Sequence, residues 1–261
     1  MPLFRDQLNR GIDLHTSPQR IISIVPSQTE LLFYLGLDDR IAGITNFCTH
    51  PAEKVKAIAK VGGTKKLNIT LIKELQPDLI IANKEENERG QIEELMGHFP
   101  VWISDINNLH GALNIIGSLG QLLSCTTKAK TLSDTILSRF NKFNIAPLNQ
   151  RAAYLIWRKP YMAAGTGTFI DSMLQVCGLT NAFELNRYPQ VNAAMLVVAD
   201  PDVVFLSSEP YPFSEKHIME FKAILPKAKI ILVDGEMFSW YGSRLLLAPS
   251  YFSSIIDEIK G

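Results

Sequence analysis

Cys48 and His50 stand two residues apart in the stretch Asn46-Phe47-Cys48-Thr49-His50-Pro51, close enough for a thiolate and an imidazole to face one ion. Two ligands leave a coordination shell incomplete, and no further Cys or His cluster supplies the rest. The favoured reading is therefore a loop shaped by Pro51, with His50 at its rim and no free-metal site. His50 then becomes a candidate axial or outer contact to a metal already carried inside a chelate. Gly165-Thr166-Gly167-Thr168 precedes a helix and could cradle a phosphate, but it lacks the lysine and the length of a P-loop, so a tight strand-to-helix connection is favoured. Glu85, Glu86 and Glu88 read equally well as a solvated helix start, favoured by the helix dipole, and as a docking surface. Phe238, Trp240 and Tyr241 fall within four residues of the loop Gly235 to Arg244 and cannot all face one side of a regular element. At least one is expected to be exposed, and Trp240 is the choice. Arg244 is expected to pair with Glu236 or to reach a ligand carboxylate through its planar fork. No nucleophile elbow, HExxH, Walker motif or carboxylate pair flanked by a general acid is present, so no catalytic residue is assigned and the reading is of a binding protein, not an enzyme.

The elements that must position these residues occur twice. A helix-like stretch runs into Pro77-Asp78, an apolar run Leu79 to Ala82 and Glu85; the second half repeats this with Pro201-Asp202, Val203 to Leu206 and Glu209, with the same eight-residue step from proline to glutamate. Strand-then-helix blocks precede each unit, and strand-like runs closing on Asp105 and Asp234 follow them. Strands alternating with helices indicate parallel sheets, whose ligands bind beyond the carboxyl ends of the strands. The chain is thus expected to form two Rossmann-like α/β lobes with a ligand cleft between them. The boundaries are drawn at 1–124 for the first lobe, 125–146 for a connecting segment and 147–261 for the second lobe.

The helical periodicity from Thr126 to Phe143, free of proline and strand signal, makes the connector a single long helix of about five turns. An irregular or hairpin-like arm with a turn at Gly11 is expected to about Pro18. Ser27 is expected to cap the first helix with Glu30 as its capping-box partner, and Ala52 to Ala59 is expected to be helical. The 261 residues carry 26 basic and 26 acidic side chains and 46% hydrophobic residues, a balance that argues against nucleic acid or an anionic membrane as partner. Three cysteines without CxxC spacing argue against a disulfide framework; Cys125 and Cys177 read as core. No basic leader with a sustained apolar stretch opens the chain, so it reads as cytoplasmic as written, and as periplasmic or membrane-anchored if a leader was removed.

Arg20-Ile-Ile-Ser-Ile-Val-Pro-Ser-Gln-Thr-Glu-Leu-Leu, the Phe-Cys-Thr-His-Pro loop, Gly-Gly-Thr-Lys, Leu-Gln-Pro-Asp-Leu-Ile-Ile-Ala-Asn and Tyr-Pro-Gln-Val resemble the helical-backbone, class III substrate-binding proteins of ABC importers, nearest their vitamin B12-binding branch. The wider family also takes up siderophore-iron and haem. The resemblance implies a monomer that holds a small-molecule metal chelate sandwiched between the lobes, with no intrinsic cofactor. It favours a corrinoid over haem or a ferric siderophore. Family aromatic positions fall on Phe47 and Tyr188, one falls on Asn83, and an acidic ligand contact falls on Glu236. Phe47, Tyr188 and Trp240 are expected to face the ligand, with His50, Asn83, Gln190, Glu236 and Arg244 as polar contacts. The family's permease-docking positions fall on Arg89 and Ala194, so the nearby Glu85, Glu86, Glu88 and Glu209 are the candidates to replace them. The alternative is a cytosolic corrinoid- or metal-handling protein or enzyme on the same fold, uncoupled from a transporter.

Overall fold

In the computed structural model the described residues are 4–14 and 16–261; Met1, Pro2, Leu3 and His15, part of the expected N-terminal arm and its leader reading, lie outside them. The chain forms two compact α/β units. The first takes the chain up to Ile106, His110–Leu137 and Tyr241–Arg244; the second takes Asn107–Leu109, Ser138–Trp240 and Leu245–Gly261.

The first unit opens with a small antiparallel pair, β1 (Phe4–Arg5) and β2 (Gly11–Ile12), in which Gly11 lies in a strand and the turn falls before it. Its main sheet is built from β3 (Ile21–Ser23), α1 (Pro26–Tyr34), β4 (Ile41–Ile44), β5 (Ala59–Lys60), α2 (Ile69–Leu75), β6 (Leu79–Asn83), α3 (Arg89–Met96) and β7 (Val101–Ser104). The strands run in the order β5-β4-β3-β6-β7, all parallel. Two local expectations are corrected here. Helix α1 begins at Pro26, whose fixed φ and missing N–H suit the first helical turn, and Ser27 lies inside the helix instead of capping it. Ala52 to Ala59 is not a helix: one 3-10 turn at Val55–Ala57 leads straight into edge strand β5.

Helices α4 (Leu109–Leu122) and α5 (Thr126–Lys142) follow. The 17 residues of α5 belong to the first unit as far as Leu137 and to the second from Ser138.

The second unit contains β8 (Arg151–Trp157), β9 (Tyr161–Ala163), α6 (Phe169–Val176), β10 (Thr180–Asn181), β11 (Gln190–Val191), α7 (Ala193–Ala199), β12 (Val203–Ser207), α8 (Glu215–Ile224), β13 (Lys229–Val233), α9 (Gly235–Ser239) and α10 (Ala248–Lys260). Its strand order is β11-β9-β8-β12-β13, with β8, β12 and β13 parallel and β9 and β11 antiparallel additions.

The Pro-Asp repeat has one local cause in both units. Asn68 and Asn192 cap α2 and α7 by accepting the backbone N–H groups of Leu71 and Met195. Each helix stops at a left-handed residue, Gln76 (φ 46°) or Asp200 (φ 41°), before a proline that cannot continue it. The next aspartate ties the start of the following strand to its neighbour. Asp78 accepts from the backbone N–H groups of Gln19 (2.6 Å) and Arg20 (2.8 Å), and Asp202 accepts from that of Arg151 (2.7 Å). Behind these strands lie separate apolar cores. Ile22, Ile24, Val61, Ile72, Ile80 and Leu95 fill the first unit, and Leu155, Val204, Leu206, Phe213 and Phe221 the second. Among the described residues no helix is long and apolar enough to cross a membrane.

Candidate functional site

In a parallel sheet the strands deliver their carboxyl ends, and the loops that follow, to one edge. In the first unit that edge carries the loops after β4 and β6. Phe47 is 60% exposed, and its ring lies over Gly63, where a Cβ would come within 3.2 Å of it. The neighbouring Gly62 holds φ at +100°, a conformation side chains rarely adopt, so the glycine pair is what lets the loop pass beneath the ring. Cys48 points the other way: it is buried between the hydroxyls of Thr29 (3.1 Å) and Thr45 (3.2 Å), and burial pushes its thiol up. A thiol so placed anchors the loop, while His50 stays half-buried at its end.

The loop after β6 is organised by Asn83. Its side-chain oxygen accepts from the backbone N–H groups of Glu85 and Glu86, its side-chain NH2 donates to the Ser104 hydroxyl and carbonyl, and its backbone N–H donates to the Asn87 side chain. Asn83 is buried with its amide engaged inside the first unit, which makes it a turn-former at the position where a ligand contact was expected. Glu88 is the N-cap of α3, accepting from the backbone N–H groups of Gly90 and Gln91, and those bonds hold its carboxyl below the usual range. Its helix-start role is thus realised directly. Glu85 and Glu86 are half-buried; Glu86 accepts from the Tyr241 hydroxyl at 2.9 Å. Arg244 lies in the same unit and forms a two-point ion pair with Glu30 (2.7 and 3.3 Å), a partner outside the sequence expectation.

In the second unit Tyr188 is half-buried and Gln190 is exposed at the start of β11. Glu236 sits in the first turn of α9, whose N-cap is Asp234. Glu209, the acidic tip after β12, accepts from the Ser239 hydroxyl and the Trp240 indole N–H, both at 2.8 Å. Burial raises its carboxyl, and the nearby Glu236 and Asp234 add to the rise against those two donors. Trp240 is 5% exposed, and Phe238 and Tyr241 are also buried, so the expectation of an exposed aromatic in this loop is not met. The reason is that the three do not belong to one element. Phe238 leaves α9 into the core of the second unit against Tyr154, Phe205 and Phe252, while Tyr241 enters the first unit on Glu86.

The Gly165-Thr166-Gly167-Thr168 loop closes on its own chain. The N–H groups of Gly165 and Thr166 donate to the carbonyls of Arg187 and Leu185, Thr168 caps α6, and a Cβ at Gly165 would stand 1.9 Å from the Leu185 carbonyl oxygen. With those donors used, it is a strand-to-helix connection. Sequence reasoning passed over Trp157, which is 39% exposed at the carboxyl end of β8. Its only signal was its place as the last residue of an otherwise buried run.

These sheets, strand orders and strand-end loops define an α/β ligand-binding protein of two similar units. Over residues 21–223 the chain matches the periplasmic binding protein family, and it belongs to that family. It is 25% identical over 254 residues to the vitamin B12-binding protein of Pectobacterium carotovorum subsp. carotovorum (strain PC1), covering 93% of this chain and 90% of that one. It is also 25% identical over 256 residues to the vitamin B12-binding protein of Photorhabdus laumondii, covering 94% and 90%. Among solved structures, the fold is shared with the periplasmic vitamin B12-binding protein BtuF of Vibrio cholerae (TM-score 0.80, 22% identity, 94% and 98% covered). It is likewise shared with the periplasmic heme-binding protein BhuT in complex with two hemes (TM-score 0.82, 22% identity, 94% and 100% covered).

Proposed function

We propose that this member of the family binds a metal chelate, with a corrinoid favoured over haem or a ferric siderophore, and delivers it to an ABC permease. The observation that carries the reading is that relatives named as vitamin B12-binding proteins align over nine-tenths or more of the chain. The chemistry of the strand ends supports it. A chelate brings its metal already ligated and asks for apolar stacking surface and a few hydrogen-bond partners, which Phe47, Tyr188, Gln190, His50 and Glu236 offer. Trp240 drops out as a stacking surface because it is buried. Docking to a permease falls to Glu85 and Glu88: Glu88 stays exposed while it caps α3, whereas Glu209 is drawn inward onto Ser239 and Trp240.

Calorimetry with cobalamin, cobinamide, haemin and a ferric siderophore, set beside zinc and ferrous iron, tests the reading. Cobalamin or cobinamide is expected to bind at micromolar or lower Kd. Tight binding of a free ion with no response to any chelate would overturn it.

A further inference from the structure

The register of the second sheet singles out Trp157. Across the strands β8, β9 and β11, Trp157 pairs with Met162 and Met162 pairs with Gln190, so the three lie level at one corner of the sheet. The adjacent pair Tyr161 and Val191 packs into the core of the unit, so strand alternation turns Met162 and Gln190 to the opposite face. A β-bulge lies between Leu155 and Trp157, the kind of irregularity that re-aims the residue beside it. Leu155 is fully buried, whereas Trp157, two residues on, is 39% exposed.

The indole is held, not loose. It meets Tyr211 edge to face at 5.8 Å, and Tyr211 is wedged in turn against Phe213 and His217. The next residue, Arg158, is fixed by Glu220 through bonds of 2.8 and 2.9 Å, and Glu220 also accepts from the Tyr161 hydroxyl. An exposed aromatic ring on a rigid support is a pre-organised stacking surface, since little rotamer freedom remains to be lost on binding.

We propose that Trp157 is a further ligand contact, stacking against the conjugated ring of the chelate. The inference rests on the binding reading above and adds to it a specificity-determining residue, selective for flat conjugated macrocycles over siderophores that present no such face. Gln190 lies two strands away across Met162, and Tyr188 precedes Gln190 by two residues, so a ligand as wide as a macrocycle would span from Trp157 to these two.

The test uses the intact protein and two variants. Trp157→Ala removes the ring, and Trp157→Phe keeps an aromatic face. Calorimetry with cobinamide and haemin is expected to show affinity falling by about tenfold in Trp157→Ala and by less than about threefold in Trp157→Phe, in line with the truncation of an interface aromatic. A second readout is independent of the variants. Trp102 and Trp240 are 1% and 5% exposed, so hydroxyl-radical labelling followed by mass spectrometry reads Trp157 almost alone among the tryptophans. Saturating chelate is expected to slow Trp157 oxidation by several-fold. If the parent binds a chelate while Trp157→Ala binds equally well and Trp157 stays unprotected, this inference is overturned and the binding reading stands. If the parent binds none of the chelates, both fail together.

Discussion

The two units share a backbone solution and differ in what fills it. The central strands β3, β6 and β7 of the first unit and β8, β12 and β13 of the second run in the same order, with β6 and β12 each entered by an asparagine-capped helix, a left-handed stop and a Pro-Asp step. Yet the first unit buries a polar network at its strand ends, where Gln28 donates to Ser104 (2.5 Å), Thr29 to Ser23 (2.8 Å) and Asn83 to Ser104 (2.9 Å). The second buries aromatic rings against its sheet: Tyr154 and Phe205 in mid-strand, with Phe238 and Phe252 from the helices upon them. A backbone device made of caps, a proline and a strand-end carboxylate works whichever interior it meets, because it satisfies its own hydrogen bonds locally. A polar interior demands one geometry and is costly when broken, whereas a ring interior loses energy in proportion to the volume removed.

That difference sets an order of expected effects. Phe238→Ala should be the most damaging change, lowering stability by about 3–5 kcal/mol in denaturant unfolding. Hydrogen exchange should show the loss across the second unit, with β6 and β7 protected as in the parent. Asn83→Ala should cost about 2 kcal/mol, because it orphans buried partners that an apolar methyl cannot satisfy. Protection of the Glu85 and Glu86 amides should disappear with it, and its survival would show that the turn does not depend on the side chain. Replacing the paired aspartates compares the units most directly. Asp78→Ala should cost about 1 kcal/mol or slightly more, and Asp202→Ala somewhat less, since the first carboxylate holds two strand-start amides and the second holds one.

The smallest expected effect is a matter of sign. Glu209 has its carboxyl raised by burial above the ordinary 4.5, and Glu88 has its own lowered by backbone N–H groups. The stability that Glu209 contributes is full below its unfolded value and declines as pH rises through its higher folded value. That of Glu88 is present above the unfolded value and is lost as pH falls through its lower folded value. Carboxyl-carbon NMR titration should place the two midpoints on opposite sides of 4.5. Glu209→Gln, which keeps the acceptor for Trp240 and Ser239, should make stability flatter between pH 4.5 and neutrality.

Much of the fold was legible because its signals are local. The Pro77 and Pro201 steps, the strands they open, helix α2 and the long helix from Thr126 all follow from short-range spacing, and they stand within a residue or two of where the sequence places them. The candidate site was less legible, since its decisive contacts join residues far apart in the chain. Nothing near Arg244 announces Glu30, and nothing near Asn83 announces Ser104. Trp157 escaped notice for a different reason: a tryptophan at the end of an apolar run has the composition of core, and only the register shift beside it brings it to the surface. The Phe238 to Tyr241 loop misled because rings that cannot share one side of an element imply that one is exposed, whereas successive residues there enter different units and all three are buried.

That last feature bears on how the protein is made. Tyr241 and Arg244 complete the first unit, one on Glu86 and the other on the largely buried Glu30, although they are synthesised 155 and 214 residues after those partners. A nascent chain that stops short of Tyr241 lacks both of these contacts, so the unit that begins to emerge first is closed only after most of the second has been made.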